Sequence, residues 1–296
     1  MKKCVNNLLV SLRLVVLQGV KAGFKWNNAA FRCVMLVVML NFVVIHVSGE
    51  VANGIGVFSV SATKVVTFSP GNLQYHPKND EWRFAENQYD IIGEDNKNIS
   101  TDYDGWIDLF GWSASDGSAK FGVSSSKNNN DYVGDFVDWG KNQIGSDAPD
   151  TWRTMTMDEW CYLCNTRMKA DSLRGLGRIN GVAGLILLPD NWICPAGITF
   201  KSGFHSNYGA EYYAAYQTFT VEQWSKLEAT GAVFLPAAGI RRLSKDVTNE
   251  TQFNRIWSAT EYDNNNAYYL YFLTDKAYMN MTSRSHGHSV RLVRNL

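Results

Sequence analysis

Two short motifs contain residues that could bind a metal or take part in redox chemistry. Cys161-Tyr-Leu-Cys164 has the spacing of a thiol-disulfide motif or of half a zinc site. His286-Gly-His288 could place two imidazoles on one side of a strand, because alternate strand residues point the same way. Neither motif has further ligands nearby in the sequence. We therefore expect the cysteines to be small buried side chains, and we expect no metal and no cofactor.

Two other segments give weaker chemical signals. The segment 175–181 is close to a dinucleotide-binding loop, but Asn180 stands at the third glycine position, and we expect a turn there. Four aspartates could ligate calcium, but their spacing does not match an EF-hand, so we expect solvated turn residues at Asp102, Asp104, Asp108 and Asp116. The sequence also lacks G-x-S-x-G, H-E-x-x-H and P-loop motifs. We assign no catalytic residue and predict that the protein is not an enzyme.

The C-terminal segment has the composition of a binding surface. Its tyrosines are interleaved with asparagine, serine and histidine; they are Tyr262, Tyr268, Tyr269, Tyr271 and Tyr278. Tyrosine gives a large contact area with few rotatable bonds, and asparagine and serine adapt their hydrogen bonds, so this mixture is enriched in binding loops.

The alternation of a strand predicts which of these side chains face the ligand. We expect Tyr269, Tyr271 and Leu273 to share one exposed face. Leu270 and Phe272 should then point into the core.

Residues 1–49 have the layout of a signal peptide. Six basic residues precede the first acid, Glu50, and lead into the apolar run 33–47. That run is shorter than the ~20 residues that a membrane-spanning helix needs, and Val47-Ser-Gly49 offers small residues for cleavage. We therefore expect export to the periplasm, the cell surface or the medium. An uncleaved N-terminal anchor is the alternative, and it would be the only membrane contact.

Charge and cysteine content exclude some classes of protein. Without residues 1–49 the chain has 22 basic and 28 acidic residues, a net charge of −6, which is not the basic footprint of a nucleic-acid-binding protein. Only Cys161, Cys164 and Cys194 remain, so no complete set of disulfides is implied. Ten tryptophans favour an ordered globule over a stalk.

Local signals predict a mixture of helices and strands. Capping boxes at 156–159 and 220–223 each precede an apolar run and predict two short helices, the second of which should stop at Gly231. Alternating or apolar runs predict strands at 57–62, 64–68, 82–84 and 184–188. Residues 93–150 are rich in turn residues and aromatics, which predicts long structured loops. We therefore divide the chain into a leader, 1–49, a region of N-terminal strands and loops packed on the core, 50–149, and the core itself, 150–296.

Four blocks of the core occur in a recognisable order, at 152–164, 234–241, 257–261 and 289–293. Together they resemble bacterial C-type-lectin-like proteins of the Fibrobacter major paralogous domain family and the related formylglycine-generating-enzyme-like proteins. The resemblance covers about residues 150–294. It implies an α+β, C-type-lectin-like fold with two short helices, small antiparallel sheets and long irregular loops.

Within that group, the C-terminal segment resembles the variable region of proteins that retroelements diversify by randomising the adenines of a template. An AAC codon for asparagine can then become Tyr, Asp, His, Ser, Thr or Leu. The ligand-binding residues that this resemblance implies are Tyr262, Asp263, Asn265, Tyr269, Tyr271, Leu273, Asp275, Tyr278, Asn280, Thr282, Ser283, Ser285, His286 and His288. Both an actively diversified segment and a fixed tail stay open.

The resemblance implies the scaffold rather than the oxidase activity of the family. Formylglycine-generating enzymes place catalytic cysteines in their C-terminal part, and this chain has no cysteine after Cys194. We therefore predict an exported, non-catalytic ligand-binding protein whose partner is a protein or a glycan at the cell exterior. The alternatives are a structural cell-surface or adhesin subunit and a degenerate formylglycine-generating-enzyme-like protein.

Overall fold

Short strands provide most of the regular structure. The computed structural model describes residues 55–203, 217–242, 246–248, 254–272 and 277–296, all of which belong to one unit, Asn53–Leu296. The predicted leader and the predicted site residues Leu273 and Asp275 lie outside these ranges. Within them, no helix has the length and hydropathy that crossing a membrane requires.

The described elements confirm a mixed α+β structure of short helices and small sheets. The strands are β1 Phe58–Ser59, β2 Val65–Phe68, β3 Leu73–His76, β4 Glu81–Phe84, β5 Arg153–Thr154, β6 Arg174–Ile179, β7 Val182–Leu187, β8 Gln217–Phe219, β9 Val233–Pro236, β10 Ile240–Arg241, β11 Val247–Thr248, β12 Asn254–Glu261, β13 Asn266–Phe272, β14 Ala277–Ser283 and β15 Leu292–Asn295. The α-helices are α1 Met157–Cys161 and α2 Val221–Glu228.

Both helices begin at the predicted capping boxes. The Thr156 hydroxyl accepts a hydrogen bond from the Glu159 amide, and the Glu159 carboxylate accepts one from the Thr156 amide, which satisfies two otherwise unpaired donors. Thr220 and Gln223 form the same reciprocal pair in front of α2. After α1 the chain continues as a π-helical turn, Tyr162–Thr166.

Two four-stranded sheets build most of the scaffold. The first has the order β1-β2-β15-β5, in which Val293 of β15 pairs antiparallel with Phe68 of β2 and with Arg153 of β5. The second has the order β8-β6-β7-β9; β6 and β8 are parallel and the other pairs are antiparallel. Helix α2 packs on the second sheet through buried Trp224 and Leu227.

The segment 175–181 is a hairpin and not a nucleotide loop. Residues 175–179 belong to β6, and the turn to β7 is Asn180-Gly181, both with positive φ of 50° and 81°. An Asn-Gly pair is the strongest two-residue hairpin signal, because both positions need the left-handed region. The expected turn is therefore limited to two residues.

The third sheet, β12-β13-β14, is antiparallel and buried on both faces at its centre. On one face Leu270 and Phe272 join a core that contains Trp160 and Leu163. On the other face Tyr269 joins a second core, which is largely aromatic. The central strand β13 therefore lies between two hydrophobic clusters.

The loops between 85 and 152 supply much of this aromatic core. Trp112 donates its indole N–H to the Ser258 carbonyl over 2.9 Å, and Trp257 donates to the Phe110 carbonyl over 2.7 Å. Trp139 likewise donates to the Phe121 carbonyl. Each indole buries its ring and satisfies its only donor, so these loops are fixed to the third sheet by directed hydrogen bonds as well as by packing.

Candidate functional site

Strand register brings several of the predicted site residues to one face of the third sheet. Tyr271 is paired with Tyr278, and Tyr269 with Asn280, across β13 and β14. Directly paired residues of antiparallel strands project from the same face. On β12 the partners of Tyr271 and Tyr269 are Arg255 and Trp257. We call this surface the aromatic face, and it comprises Arg255, Trp257, Tyr269, Tyr271, Tyr278, Asn280 and Thr282.

The chain after β14 returns to this face and adds two histidines. The His288 ring stacks on Trp257 with ring centres 4.2 Å apart, and the edge of Tyr269 meets it at 4.8 Å. His286 Nδ1 and the Thr282 hydroxyl share a 2.8 Å hydrogen bond. Backbone bridges from Gly287 to Arg241 and from Ser289 to Ile256 hold this return segment in place. The predicted pair 286 and 288 therefore belongs to the aromatic face.

Exposure changes steadily across the aromatic face. At its inner end Trp257 and His288 are fully buried and Tyr269 is 5% exposed. Tyr271, Thr282 and His286 are half-buried, whereas Tyr278 and Asn280 are exposed. The face thus runs from a buried aromatic floor, formed by Trp257, Tyr269 and His288, to an exposed rim, formed by Tyr278 and Asn280, and we call floor and rim together the recess.

The prediction that Tyr269 is exposed is wrong. Ser285 and His288, which the sequence also predicts to bind the ligand, are buried as well. β13 is a central strand, and the ring of Tyr269 is covered by Trp257, His288 and Tyr271. The predicted burial of Leu270 and Phe272 is confirmed.

Arginines surround the recess. Arg241 is 1% exposed and Arg255 is half-buried, with its guanidinium carbon 5.5 Å from the ring centre of Tyr269 and 5.7 Å from that of Tyr271. In the part of the chain that the structure describes, Nε and Nη2 of Arg241 and Nε of Arg255 have no hydrogen-bond partner. Among the described residues, no carboxylate forms an ion pair with Arg241 or Arg255. The amide of exposed Arg242 donates to the Asp246 carbonyl over 3.0 Å.

These surroundings keep both histidines neutral. Burial, reinforced by the positive charges of Arg242, Arg255 and Arg241, lowers the pKa of His286 to about 4. Burial, together with Arg255, lowers the pKa of His288 well below its ordinary value. The aromatic face at neutral pH therefore carries its positive charge on arginines only.

Three predicted site residues lie away from the aromatic face, on the turn between β12 and β13. The Asp263 carboxylate accepts hydrogen bonds from the amides of Asn265 and Asn266, both over 2.8 Å, and these bonds lower its pKa. Tyr262 packs edge-on against Tyr268, which points to the opposite face of β13. Asp263 and Asn265 shape the turn, and Tyr262 is not part of the recess.

Ser283 and Ser285 connect the C-terminal turn to the loops. The Ser283 hydroxyl donates to the Asn129 side-chain oxygen over 2.6 Å and lies 2.8 Å from the Ser285 hydroxyl. Between them, buried Arg284 donates to the carbonyls of Tyr132, Gly134 and Asp263. This same guanidinium pairs with Glu261 over 2.9 Å and stacks on Trp112 at 4.3 Å. The two serines and Arg284 therefore hold the fold together.

The motifs with metal or redox spacing have other surroundings. Cys161 is half-buried, Cys164 is buried, and neither forms a disulfide. Burial raises the pKa of the Cys164 thiol to about 12 and also raises that of Cys161, so neither is a thiolate at neutral pH. No group of three or more possible metal ligands occurs among the described residues.

The aspartates considered for calcium are separated in the structure. Asp104 pairs with Lys78 over 2.6 Å at the surface. The expectation of a solvated turn residue is wrong for Asp108, which is fully buried because its carboxylate accepts hydrogen bonds from the Asn96 side-chain amide over 2.8 Å and from the Ile92 amide over 3.1 Å. They therefore act in different local networks.

Sequence reasoning missed the arginines of this site. Arg255 is two residues before Trp257, and that spacing puts both side chains on one side of a strand. Arg241 and Arg242 reach the same place only through the backbone bridge to Gly287, which no local pattern indicates. Comparison with protein-family models, curated proteins and solved structures gives no match to this chain. The fold and the site thus define an α+β protein with an aromatic, arginine-lined recess on a small antiparallel sheet.

Proposed function

We propose that this chain is an exported, non-catalytic ligand-binding protein whose binding surface is the aromatic face. The observation that carries the proposal is the strand register, which groups Tyr271, Tyr278 and Asn280 at the open rim above a rigid floor. Rigid aromatic side chains beside adaptable polar ones make an effective binding surface, because little conformational entropy is lost on binding. The partner is a protein or a glycan at the cell exterior.

We further propose that the scaffold is C-type-lectin-like, in line with the sequence resemblance. Support comes from the pairing of β2 with β15 near the two ends of the described chain, and from the short capped helices α1 and α2. The three-stranded antiparallel sheet carries the binding segment, and long irregular loops pack against it.

If a retroelement diversifies the C-terminal segment, the graded exposure limits where variation is tolerated. Replacing Tyr278 or Asn280 at the rim changes no packed core, whereas replacing Tyr269 or His288 opens a cavity in one. We propose that variation is confined to the rim. The template copy would be a near-repeat of the 3′ end of the coding region, with adenines at the positions where the two differ. Compared with this copy, the coding region should then show few mismatches at the codons of residues 269 and 288.

The binding role is tested with two exposed tyrosines, one on the aromatic face and one on the turn between β12 and β13. Tyr278 is 38% exposed on the aromatic face, and Tyr262 is 49% exposed away from it. A partner is first recovered by screening the purified protein against arrays of glycans and of extracellular proteins. Tyr278→Ala should weaken its binding by about 1–3 kcal/mol, and Tyr262→Ala should leave it unchanged.

Equal effects of the two variants would contradict the proposal. Polymerisation of the purified protein would favour a structural subunit instead, because β14 has a strand neighbour on one side only among the described residues. Export is tested separately by N-terminal sequencing of envelope and secreted fractions. Intact Met1 in the cytoplasmic fraction would contradict it.

A further inference from the structure

The recess combines unpaired cationic groups with a corner of aromatic rings. Arg255 lies beside Tyr269 and Tyr271, and among the described residues its Nε and two guanidinium nitrogens of Arg241 have no hydrogen-bond partner. His288 is fully buried on the floor, and neither of its ring nitrogens has a partner within the described chain. Buried polar groups are nearly always hydrogen-bonded in folded proteins, so these unpaired groups leave polarity and positive charge uncompensated beside the rings.

The arginines indicate the charge of a ligand at this site. Arg241, Arg242 and Arg255 all act electrostatically on His286, and neither Arg241 nor Arg255 forms an ion pair with a carboxylate of the described chain. Uncompensated positive charge next to buried rings favours an anion, and the guanidinium fork matches a planar carboxylate in particular. The chain as a whole has no excess of basic residues, so the attraction is local and does not favour a long polyanion.

The geometry of two tyrosines indicates the shape of the ligand. The rings of Tyr271 and Tyr278 are 5.3 Å apart and nearly perpendicular, at 79°. Together they form a right-angled corner at the rim, beside Arg255. A ring can lie against one of the two tyrosine rings and place a substituent over the Arg255 guanidinium. A flexible linear acid would cover less of the tyrosine surface.

We propose that the aromatic face binds a ring that carries a carboxylate, with the carboxylate on Arg255 and the ring against Tyr271 and Tyr278. This rests on the proposed binding surface and names its ligand class; a free aromatic acid would be a ligand in addition to the protein or glycan partner proposed above. Two sources share this chemistry, namely an acidic sugar unit of a polysaccharide and a free aromatic carboxylic acid. The rim residue Asn280 adds a side-chain amide donor beside the ring position, while its Oδ1 already accepts a hydrogen bond from the Met281 amide over 2.8 Å.

Calorimetric titration of the intact mature protein tests the proposal. The probes are a trimer of galacturonic acid, the neutral galactose trimer, benzoate, the sulfated galactose trimer and triglutamate. We expect the galacturonate trimer or benzoate to bind, and whichever binds identifies the source. The neutral trimer should bind at least about tenfold more weakly, since a charge-assisted hydrogen bond contributes about 1.5–3 kcal/mol.

Arginine variants connect the binding to the recess. Arg255→Gln should weaken binding of the carboxylate probe by about 10- to 100-fold and leave the neutral trimer unaffected. Arg255→Lys should lose part of the affinity, because lysine cannot offer a planar fork. The matched control is Arg83→Gln, since Arg83 also stacks on an aromatic ring, that of Trp106 at 3.7 Å, but lies on β4. Because Arg255 is half-buried, a melting curve accompanies each variant, and exposed Arg242→Gln provides a second test at the rim.

Several outcomes overturn the proposal. The carboxylate-bearing ring is refuted if triglutamate binds as tightly as the galacturonate trimer or benzoate, or if the sulfated trimer binds more tightly than they do. It is also refuted if Arg83→Gln and Arg255→Gln lose the same affinity for the carboxylate probe. Absence of binding for every acidic probe would also refute it. If Tyr278→Ala still weakens binding of a partner recovered by screening, the proposed function stands without this ligand class; if it does not, both fail.

Discussion

Tyr269→Ala should destabilise the protein severely, although composition alone would place this tyrosine in a binding surface. Its ring is 5% exposed and lies within reach of Trp257, His288 and Tyr271, with ring centres 6.3, 4.8 and 6.1 Å away. Truncation of a buried aromatic residue costs about 3–5 kcal/mol, because the lost transfer free energy is joined by the energy of the cavity. Each lost aromatic contact is worth about 0.5–1.5 kcal/mol, which is consistent with that range.

The assay is a thermal melt of the parent protein and of three variants. For a unit of this size, 1 kcal/mol shifts Tm by about 2–4 °C, so Tyr269→Ala should lower Tm by about 6–20 °C. Phe272→Ala, on the other side of β13, should lower Tm by a similar amount, since Phe272 is 2% exposed in the other core. Tyr278→Ala at the rim should lower it by no more than about 2 °C.

Comparing Tyr269→Ala with Phe272→Ala, which lie on opposite faces of β13, can refute the predicted burial of Tyr269. If Tyr269→Ala melts like the parent protein while Phe272→Ala is strongly destabilised, β13 is covered on one side only. The recess would then be an open surface, and the graded exposure described above would be wrong. Urea unfolding checks the same ranking at constant temperature.

Three further predictions concern residues around the same sheet. Arg284→Met should lower the free energy of unfolding in urea by about 2–4 kcal/mol, because three carbonyls lose their donor. Arg284→Lys should recover only part of that loss. Equal stability of the parent and both variants would contradict a structural role for Arg284. His286 has a pKa of about 4 in the folded protein and an ordinary value of 6.5, so its contribution to stability is complete above pH 6.5 and is lost as pH falls from 6.5 to 4. The full difference between these two pKa values corresponds to about 3 kcal/mol, which we reduce to about 1–2 kcal/mol because the ring is half-buried and partly screened. His286→Gln should remove this part of the dependence of stability on pH, and an unchanged dependence would contradict the prediction. Changing Cys161 and Cys164 together to Ala should cost about 1–3 kcal/mol through lost packing, whereas stoichiometric zinc in the parent protein, lost in the double variant, would show a metal site instead.

Local features of this protein were predictable from sequence. Both helices start where Thr156 and Thr220 form capping boxes, because a capping box involves residues only three positions apart. The burial of Leu270 and Phe272 also follows from the two-residue period of a strand. In each case the residues that decide the structure are close together in the chain.

The environment of Tyr269 was not predictable in this way. Alternation places Tyr269 opposite Leu270 but does not say whether that side is covered. Its cover comes from Trp257 and His288, and Trp257 is in turn bonded to the distant carbonyl of Phe110. The same holds for the arginines, since Arg241 joins the recess through a backbone bridge to Gly287. Contacts between distant segments depend on the whole topology, which one sequence does not reveal.

The pairing of β15 with β2 has a consequence for how this protein acquires its structure. The two strands are almost the full length of the unit apart in the chain, and β15 also pairs with β5, so it lies inside its sheet. Closing such a long loop is entropically costly and makes folding slow. During synthesis the first sheet cannot be completed until β15 has emerged, by which time the whole segment 254–288 has already been made. A chain of this topology stays unfolded for longer, which would suit the export proposed above, because an exported polypeptide passes through a channel in extended form and folds on the far side.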